Sequence, residues 1–424
     1  MEHVVIIGNG ISGITAARHI RKKNNQPITV ISSETEYFYS RTALMYIYMG
    51  HMHYKDTKPY EDWFWKKNNI NLVHDQVEKV DTSSQKLSLK QSGEIKYDIL
   101  IISTGSLPNK LGWPGQDLNG VQGMYHIQDI ERLEKQTDRI RNAVIVGGGL
   151  IGIELAEMLL TRDKHVCMLV REKSFWNRVL PPEESSLVNR IIREHHVDLR
   201  LETELDEIIG DASGHVNAVR TKNNEEISCE FVGLTVGVSP NISFLKNSDI
   251  ETDRGILVDE YLQTNITNVY AIGDCVQHRT PPENRRPVEQ VWYTGRIMGE
   301  TVAETIVGQK MKYKPGPWFN SAKFFNVEYQ TYGIVPAELK EGDGSIYEEN
   351  ADEKKCIRLV YDKNTRQLKG VNSLGIRLRH DVIDYWLRNG TPMEKVLKEL
   401  DKALFDPEFF KNSIKELFKN KHYV

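Results

Sequence analysis

An α/β fold, two similar layered domains followed by a smaller α+β domain, is predicted by three observations. A short apolar strand running into glycine, then a helix and a second strand, occurs at residues 3–32 and again at 142–170. Two further apolar strands end in small polar pairs, Thr104-Gly105 and Gly273-Asp274. From about residue 321 the pattern becomes strand-rich and then helical.

Taken in order, HVVII (3–7) is an apolar run ending at Gly8, ISGITAARHIRKK follows at helical spacing, and ITVI comes after Pro27. YDILIISTG (97–105) is the next buried strand, and the Pro/Gly-rich passage from Pro108 to Gly120 reads as a linker, so a first domain closes near 112. AVIV, GGGLIGIELAEMLL and HVCMLV repeat the strand–helix–strand order, and short strands such as FVGLTVG continue to Pro240. VYAIGDC (269–275) is in the style of the first domain, which is therefore expected to be discontinuous. The expected domains are 1–112 with 246–320, then 113–245, then 321–424 as an interface domain with a helical tail. DVIDYWLRNG and MEKVLKELDKALF are the clearest helices of the last one.

The 424 residues exceed one ordinary core, which agrees with several domains. A net charge of −4 lacks the basic excess of a phosphate-backbone binder, so nucleic acid is not an expected partner. Cys167, Cys229, Cys275 and Cys356 form no C-x-x-C pair, so neither a redox disulfide nor a metal cluster is expected and a reducing cytoplasm is the simplest location. No apolar run approaches the roughly 18 residues that cross a bilayer, and the chain opens on a strand without a leader.

Gly8-x-Gly10-x-x-Gly13 follows a strand and opens a helix, with Glu34 placed 21 residues after the last glycine. Gly8 permits the tight turn, Gly10 lets backbone approach a pyrophosphate, Gly13 allows close helix packing, and Glu34 accepts from ribose hydroxyls. Gly147-x-Gly149-x-x-Gly152 repeats the device. The two layered domains thus read as Rossmann-like, three-layer dinucleotide-binding domains, and two sites in one chain suggest FAD plus NAD(P)H. The Asp274 carboxylate suits the hydroxyls of a ribitol chain.

In motif order and spacing, residues 1 to 330 resemble the FAD-dependent pyridine nucleotide-disulfide oxidoreductase superfamily, the two-dinucleotide flavoproteins that include glutathione, coenzyme A disulfide, rubredoxin and ferredoxin reductases. The resemblance implies that Gly8, Gly10, Gly13, Glu34, Thr104, Gly105, Gly273 and Asp274 hold FAD, while Gly147, Gly149 and Gly152 hold NAD(P)H. The branch is set beside the flavin. EYFYSRTALMY (36–46) matches the ferredoxin reductase pattern at Arg41, which implies a place against the FAD pyrophosphate. Thr42 stands where disulfide reductases carry their reactive cysteine, and thiol chemistry is not expected. The chain is placed with the ferredoxin/rubredoxin reductase and NADH oxidase-like branch, without redox-active cysteines.

That branch pairs a lysine with a glutamate of the second fingerprint. Glu154 is present, but Tyr46 stands in the place of the lysine. Glu154 is expected to face the nicotinamide and flavin, with a proton state set differently from the family's. Glu289, Gln290 and Trp292 resemble the stretch that opens a helix at the flavin, where a helix N-terminus stabilises charge developing on reduction. Glu154 and Trp292 are the residues expected at the chemistry. Trp318 and Phe319 resemble an aromatic segment bordering the flavin and suit a plain core equally well.

Arg171 and Glu172 end the outer strand of the second unit, the arginine suiting NADPH and the acid suiting NADH, and the sequence leaves the donor open. Arg279, Arg285 and Arg286 suit either a solvated loop or the docking of an acidic iron-sulfur protein. PEFFKNSIKELFKNKHYV gathers apolar residues on one helical face, for packing on its own body, a dimer partner or a membrane surface. The expected function is hydride transfer from NAD(P)H to flavin and electron transfer to a redox protein. A quinone reductase at a membrane surface and a nucleotide-binding flavoprotein with a signalling or assembly role are the alternatives.

Overall fold

The computed structural model describes residues 2–350, 352 and 354–405. The basic, apolar segment 407–424 lies outside the described residues. The chain forms two compact units: Met1–Asn109, Gly123–Lys135 and Gly237–Pro315 make the first, and Lys110–Gln122, Gln136–Val236 and Gly316–Val424 the second.

In the first unit the central strand Val4–Ile7 pairs in parallel with Ile28–Ser32 and Ile99–Ile102, and Ile70–His74 and Val269–Ala271 complete a five-stranded parallel sheet. Val4–Ile7 and Ile99–Ile102 are buried throughout, as strands covered on both faces must be. Val269–Ala271 reaches this sheet from far along the chain and pairs in register with Leu100, Ile101 and Ile102. Helix Ile11–Lys23 packs on helix Trp292–Ile306. Gly295 and Gly299 make the close approach possible: a Cβ on Gly295 would sit 2.6 Å from Ser12 Oγ, and one on Gly299 2.5 Å from the Ser12 carbonyl oxygen.

The second unit holds a second parallel sheet, Asp198–Arg200, His165–Leu169, Asn142–Val146, Phe231–Leu234 and Val121–Gln122. It also contains an antiparallel sheet in the order Phe319–Phe324, Val327–Gly333, Leu368–Leu374, Lys355–Asp362, Asp343–Asn350. Helices His380–Arg388 and Met393–Lys398 bury Ile383, Trp386, Met393 and Val396 in one core with Ile357 and Leu359. Arg358, between those two, points to the other face. There it pairs with Glu184 of helix Pro182–Glu194 at 2.7 Å, the two side chains 6% and 0% exposed. Two parallel sheets with their helices and an α+β C-terminal part are the fold class that the sequence predicts.

Candidate functional site

Both fingerprints are built the same way, atom for atom. Gly8 adopts φ +108°, and a Cβ there would lie 2.2 Å from the Ser103 carbonyl oxygen. One on Gly13 would lie 2.2 Å from the Gly8 carbonyl oxygen. Gly10 has nothing within 4 Å of its missing Cβ. In the second unit Gly147 adopts φ +121° with the Thr235 oxygen 2.5 Å from such a Cβ, Gly152 meets the Gly147 oxygen at 2.8 Å, and Gly149 again faces open space. The outer glycines are required by the protein's own backbone; the middle ones leave room for something else. Helices Ile11–Lys23 and Leu150–Leu160 start at Gly10 and Gly149 with no side-chain cap, which leaves first-turn amides for an anion. An FAD or NAD(P)H pyrophosphate fits such a cradle.

Ser103 and Thr235 escaped the sequence reading. The Ser103 hydroxyl reaches the carbonyls of Ile7 (2.9 Å) and Gly8 (3.0 Å), and Thr235 Oγ1 donates to the Val146 carbonyl at 3.0 Å. Each locks the strand end before its glycine turn. The available signal was a small hydroxyl residue two positions before a glycine at the end of the neighbouring strand, Ser103-Thr104-Gly105 and Thr235-Val236-Gly237.

Around the first cradle, Glu34 is held by Arg41 at 2.5 Å, by the Ile127 amide at 3.0 Å, by the Tyr39 hydroxyl and by His126 at 3.2 Å. Burial alone would raise its pKa, but His126 and the Arg41 charge outweigh that and hold it far below the usual carboxylate range. Arg41 also lies over the Tyr125 ring at 4.6 Å and donates to the Tyr125 carbonyl. Asp274 follows Gly273, whose φ of +79° places it where a Cβ would strike Ser12 Oγ at 2.4 Å. Burial pushes the Asp274 carboxyl up to about 6, against the Arg41 charge and the Tyr125 hydrogen bond. Thr104 donates to the Asn241 carbonyl at 2.7 Å, and Asn241 returns its amide to Gly105 at 2.9 Å.

Gln290 donates to Ser106 Oγ at 2.7 Å, and Trp292 opens helix Trp292–Ile306, which also has no side-chain cap. Glu289 and Arg285 form a two-pronged ion pair at 2.6 and 2.7 Å with side chains 2% and 5% exposed. Arg285 therefore turns inward and is no part of a docking loop, because the adjacent buried carboxylate needs its charge. Arg279 pairs with Glu251, and Arg286 is exposed.

In the second unit Glu154 stands on helix Leu150–Leu160, where burial, with the charge of Glu157 adding, pushes its carboxyl up to about 7. Lys323 pairs with Glu157 at 2.8 Å. Arg171 and Arg178 both address one oxygen of Glu172, at 2.8 and 3.6 Å. Phe319 packs on Tyr332 and His380 in the C-terminal core. Thr42 is exposed and bonded to Ser40, and all four cysteines are buried.

Two glycine cradles on two parallel sheets, with buried carboxylates and uncapped helix starts around them, are the framework of the two-dinucleotide flavoprotein oxidoreductases. The chain belongs to the pyridine nucleotide-disulphide oxidoreductase family, whose sequence model matches residues 2–299. Members of this family use FAD and NAD(P)H. The chain is 32% identical over 282 residues to the nitrite reductase [NAD(P)H] of Bacillus subtilis, covering 66% of this chain and 35% of that protein. It thus spans about a third of that relative's length. It is 27% identical over 279 residues to a rubredoxin-NAD(+) reductase of Pseudomonas putida, covering 65% of this chain and 72% of that one. In fold it is similar to the ferredoxin reductase for the CYP199A2 system of Rhodopseudomonas palustris, with a TM-score of 0.81 at 22% identity over 88% of this chain and 91% of that one. Among the described residues no helix is long and apolar enough to cross a membrane.

Proposed function

We propose that this chain takes hydride from NAD(P)H onto FAD and passes the electrons to a small redox protein of the iron-sulfur kind, in the cytoplasm and as a homodimer. The observation that carries this reading is the duplicated cradle, with Gly10 and Gly149 alike facing open space at the start of an uncapped helix. FAD, when bound, supplies a hydride acceptor that can release electrons singly or in pairs.

The chain's own residues bind and orient. Gly8, Gly10 and Gly13 admit one pyrophosphate to the first-turn amides of helix Ile11–Lys23, and Gly147, Gly149 and Gly152 admit the other. Arg41 supplies positive charge beside the first cradle, and Asp274 offers a carboxylate to polyol hydroxyls. Thr104, Gly105, Gly273, Glu289 and Gln290 shape the backbone around it. The uncapped start of helix Trp292–Ile306 gives amide donors for negative charge developing at its end, with Trp292 as a wall. Glu154 holds or yields a proton near neutral pH on the nicotinamide-nucleotide side. Glu172 shared between Arg171 and Arg178 leaves a surplus positive charge, which favours the 2′-phosphate of NADPH over NADH.

The similarity to nitrite reductase [NAD(P)H] favours a second reading, in which the electrons go to a reductase centre on a larger partner protein. Anaerobic stopped-flow reduction of the purified yellow protein tests both. Rapid bleaching of the flavin by NADPH or NADH is expected, and subsequent reoxidation by a ferredoxin or rubredoxin separates the first reading from the second. A protein that holds FAD and is bleached by neither nucleotide would sink the oxidoreductase reading.

A further inference from the structure

Tyr125 sits in the stretch Gly123–Lys135, which joins the first unit after the chain has already left it. Its backbone is pinned. The amides of Tyr125 and His126 both donate to Asp129 Oδ2, at 2.7 and 2.8 Å, and fix the turn that starts helix Ile127–Gln136. Its ring carries the Arg41 guanidinium. Its hydroxyl oxygen accepts the Ser106 amide at 3.1 Å, so the phenol proton is left for another acceptor, and Asp274 Oδ2 at 3.5 Å is in place. A Cβ on Gly105 would lie 3.3 Å from the same hydroxyl, at a glycine with φ +66°. Tyr125 thus touches Arg41, Gly105-Ser106 and Asp274, which belong to three separate stretches of the sequence.

We propose that Tyr125 is a positioning residue of the FAD site, whose hydroxyl holds one oxygen of Asp274 so that the other is presented to the ribitol hydroxyls. The inference rests on the assignment of the first cradle to FAD. The physical reason is the geometry of a carboxylate on a short side chain. Unrestrained, it rotates about its last bond; with one oxygen held by a fixed phenol, its second oxygen keeps one direction. The groups that face Asp274 are Arg41 from the 36–46 segment, Tyr125, and the adjoining Cys275 thiol. An ionised Asp274 accepts from two hydroxyls, so FAD affinity falls as pH drops through the titration of this carboxyl. Loss of the phenol moves that fall to higher pH, because the hydrogen bond favours the ionised form.

Tyr125→Phe keeps the ring against Arg41 and removes the hydroxyl alone. FAD dissociation constants of the full chain are measured by flavin fluorescence between pH 5 and 8 for the wild type, Tyr125→Phe, Asp274→Asn and the double variant. The expected result for Tyr125→Phe is about three- to tenfold weaker FAD at pH 7.5, an upward shift of the pH midpoint, and no further loss in the Asp274→Asn background. An unchanged affinity and midpoint in Tyr125→Phe overturns the proposal, and so does an equal loss with or without Asp274. If Tyr125→Phe does not fold, Tyr125→Leu, which also adds no titrating group, decides by the same midpoint and by the same comparison in the Asp274→Asn background. A wild-type chain that binds no FAD would instead be the failure of the assigned function.

Discussion

Gly10 and Gly13 are three positions apart and are glycine for opposite reasons. At Gly13 a methyl group would meet the Gly8 oxygen at 2.2 Å, so Gly13→Ala is expected to destabilise the protein by about 1–3 kcal/mol, read as a lower melting temperature even without cofactor. At Gly10 a methyl group meets nothing, so Gly10→Ala is expected to leave the melting temperature of the cofactor-free chain nearly unchanged and to abolish yellow colour. Gly149→Ala should do the reverse of Gly10→Ala in ligand terms, keeping FAD and raising the KM for the nicotinamide nucleotide about tenfold or more. A Gly149→Ala protein with an unchanged KM would refute the assignment of the second cradle.

Glu154 makes a prediction whose sign follows from its environment. Its carboxyl, with an ordinary value of 4.5, is pushed up to about 7 in the folded chain. The folded state therefore binds an extra proton between these values. This stabilisation is fully present below about 4.5 and is lost as pH rises through 7. Glu154→Gln is expected to raise stability by about 1–3 kcal/mol more at pH 8 than at pH 5, since the amide never ionises. The rate of flavin reduction should lose its pH dependence near 7 in the same variant. A melting curve that responds equally at both pH values would exclude a raised Glu154.

The elements were legible to different degrees. Strands such as Val4–Ile7 and Asn142–Val146 are apolar throughout and end in glycine, so local chemistry alone marks them. Gly8 and Gly147 were legible from spacing because a tight turn between strand and helix constrains residue type locally. Arg285 could not. In the sequence it is one of several arginines in a polar loop, and only the fold buries Glu289 beside it. Tyr125 carried no signal either, since its meaning depends on the return of Gly123–Lys135 to the first unit. The same holds for Arg358 and Glu184, 174 positions apart and both buried. Arg358→Ala leaves Glu184 as an uncompensated buried charge and is expected to cost about 3–5 kcal/mol, whereas Arg358→Met with Glu184→Leu should recover most of the loss. Thermal unfolding of the three variants decides it, and a mild Arg358→Ala phenotype would mean that water reaches the pair.

At the scale of the whole molecule, the fingerprint spacing announces two nucleotide sites and the parallel strands announce their sheets. What the sequence conceals is the grouping of the C-terminal stretch with the second parallel sheet. Gly316–Val424 groups with Gln136–Val236, fastened by Arg358 to Glu183 and Glu184, Arg190 to Glu349, and Lys354 to Glu194. These pairs join residues more than 150 positions apart, and nothing periodic in the sequence records them.

The first unit is assembled from three separated stretches, and its central sheet includes Val269–Ala271 while helix Trp292–Ile306 closes over helix Ile11–Lys23. A ribosome delivering this chain from its amino end therefore emits the first cradle long before the strand and helix that complete it. An emerging fragment of 109 residues would expose the flank of Ile99–Ile102 and the bare face around Ser12. Folding of the first unit must wait until about residue 306 has left the exit tunnel, and flavin capture on translating ribosomes should begin only with nascent chains longer than that.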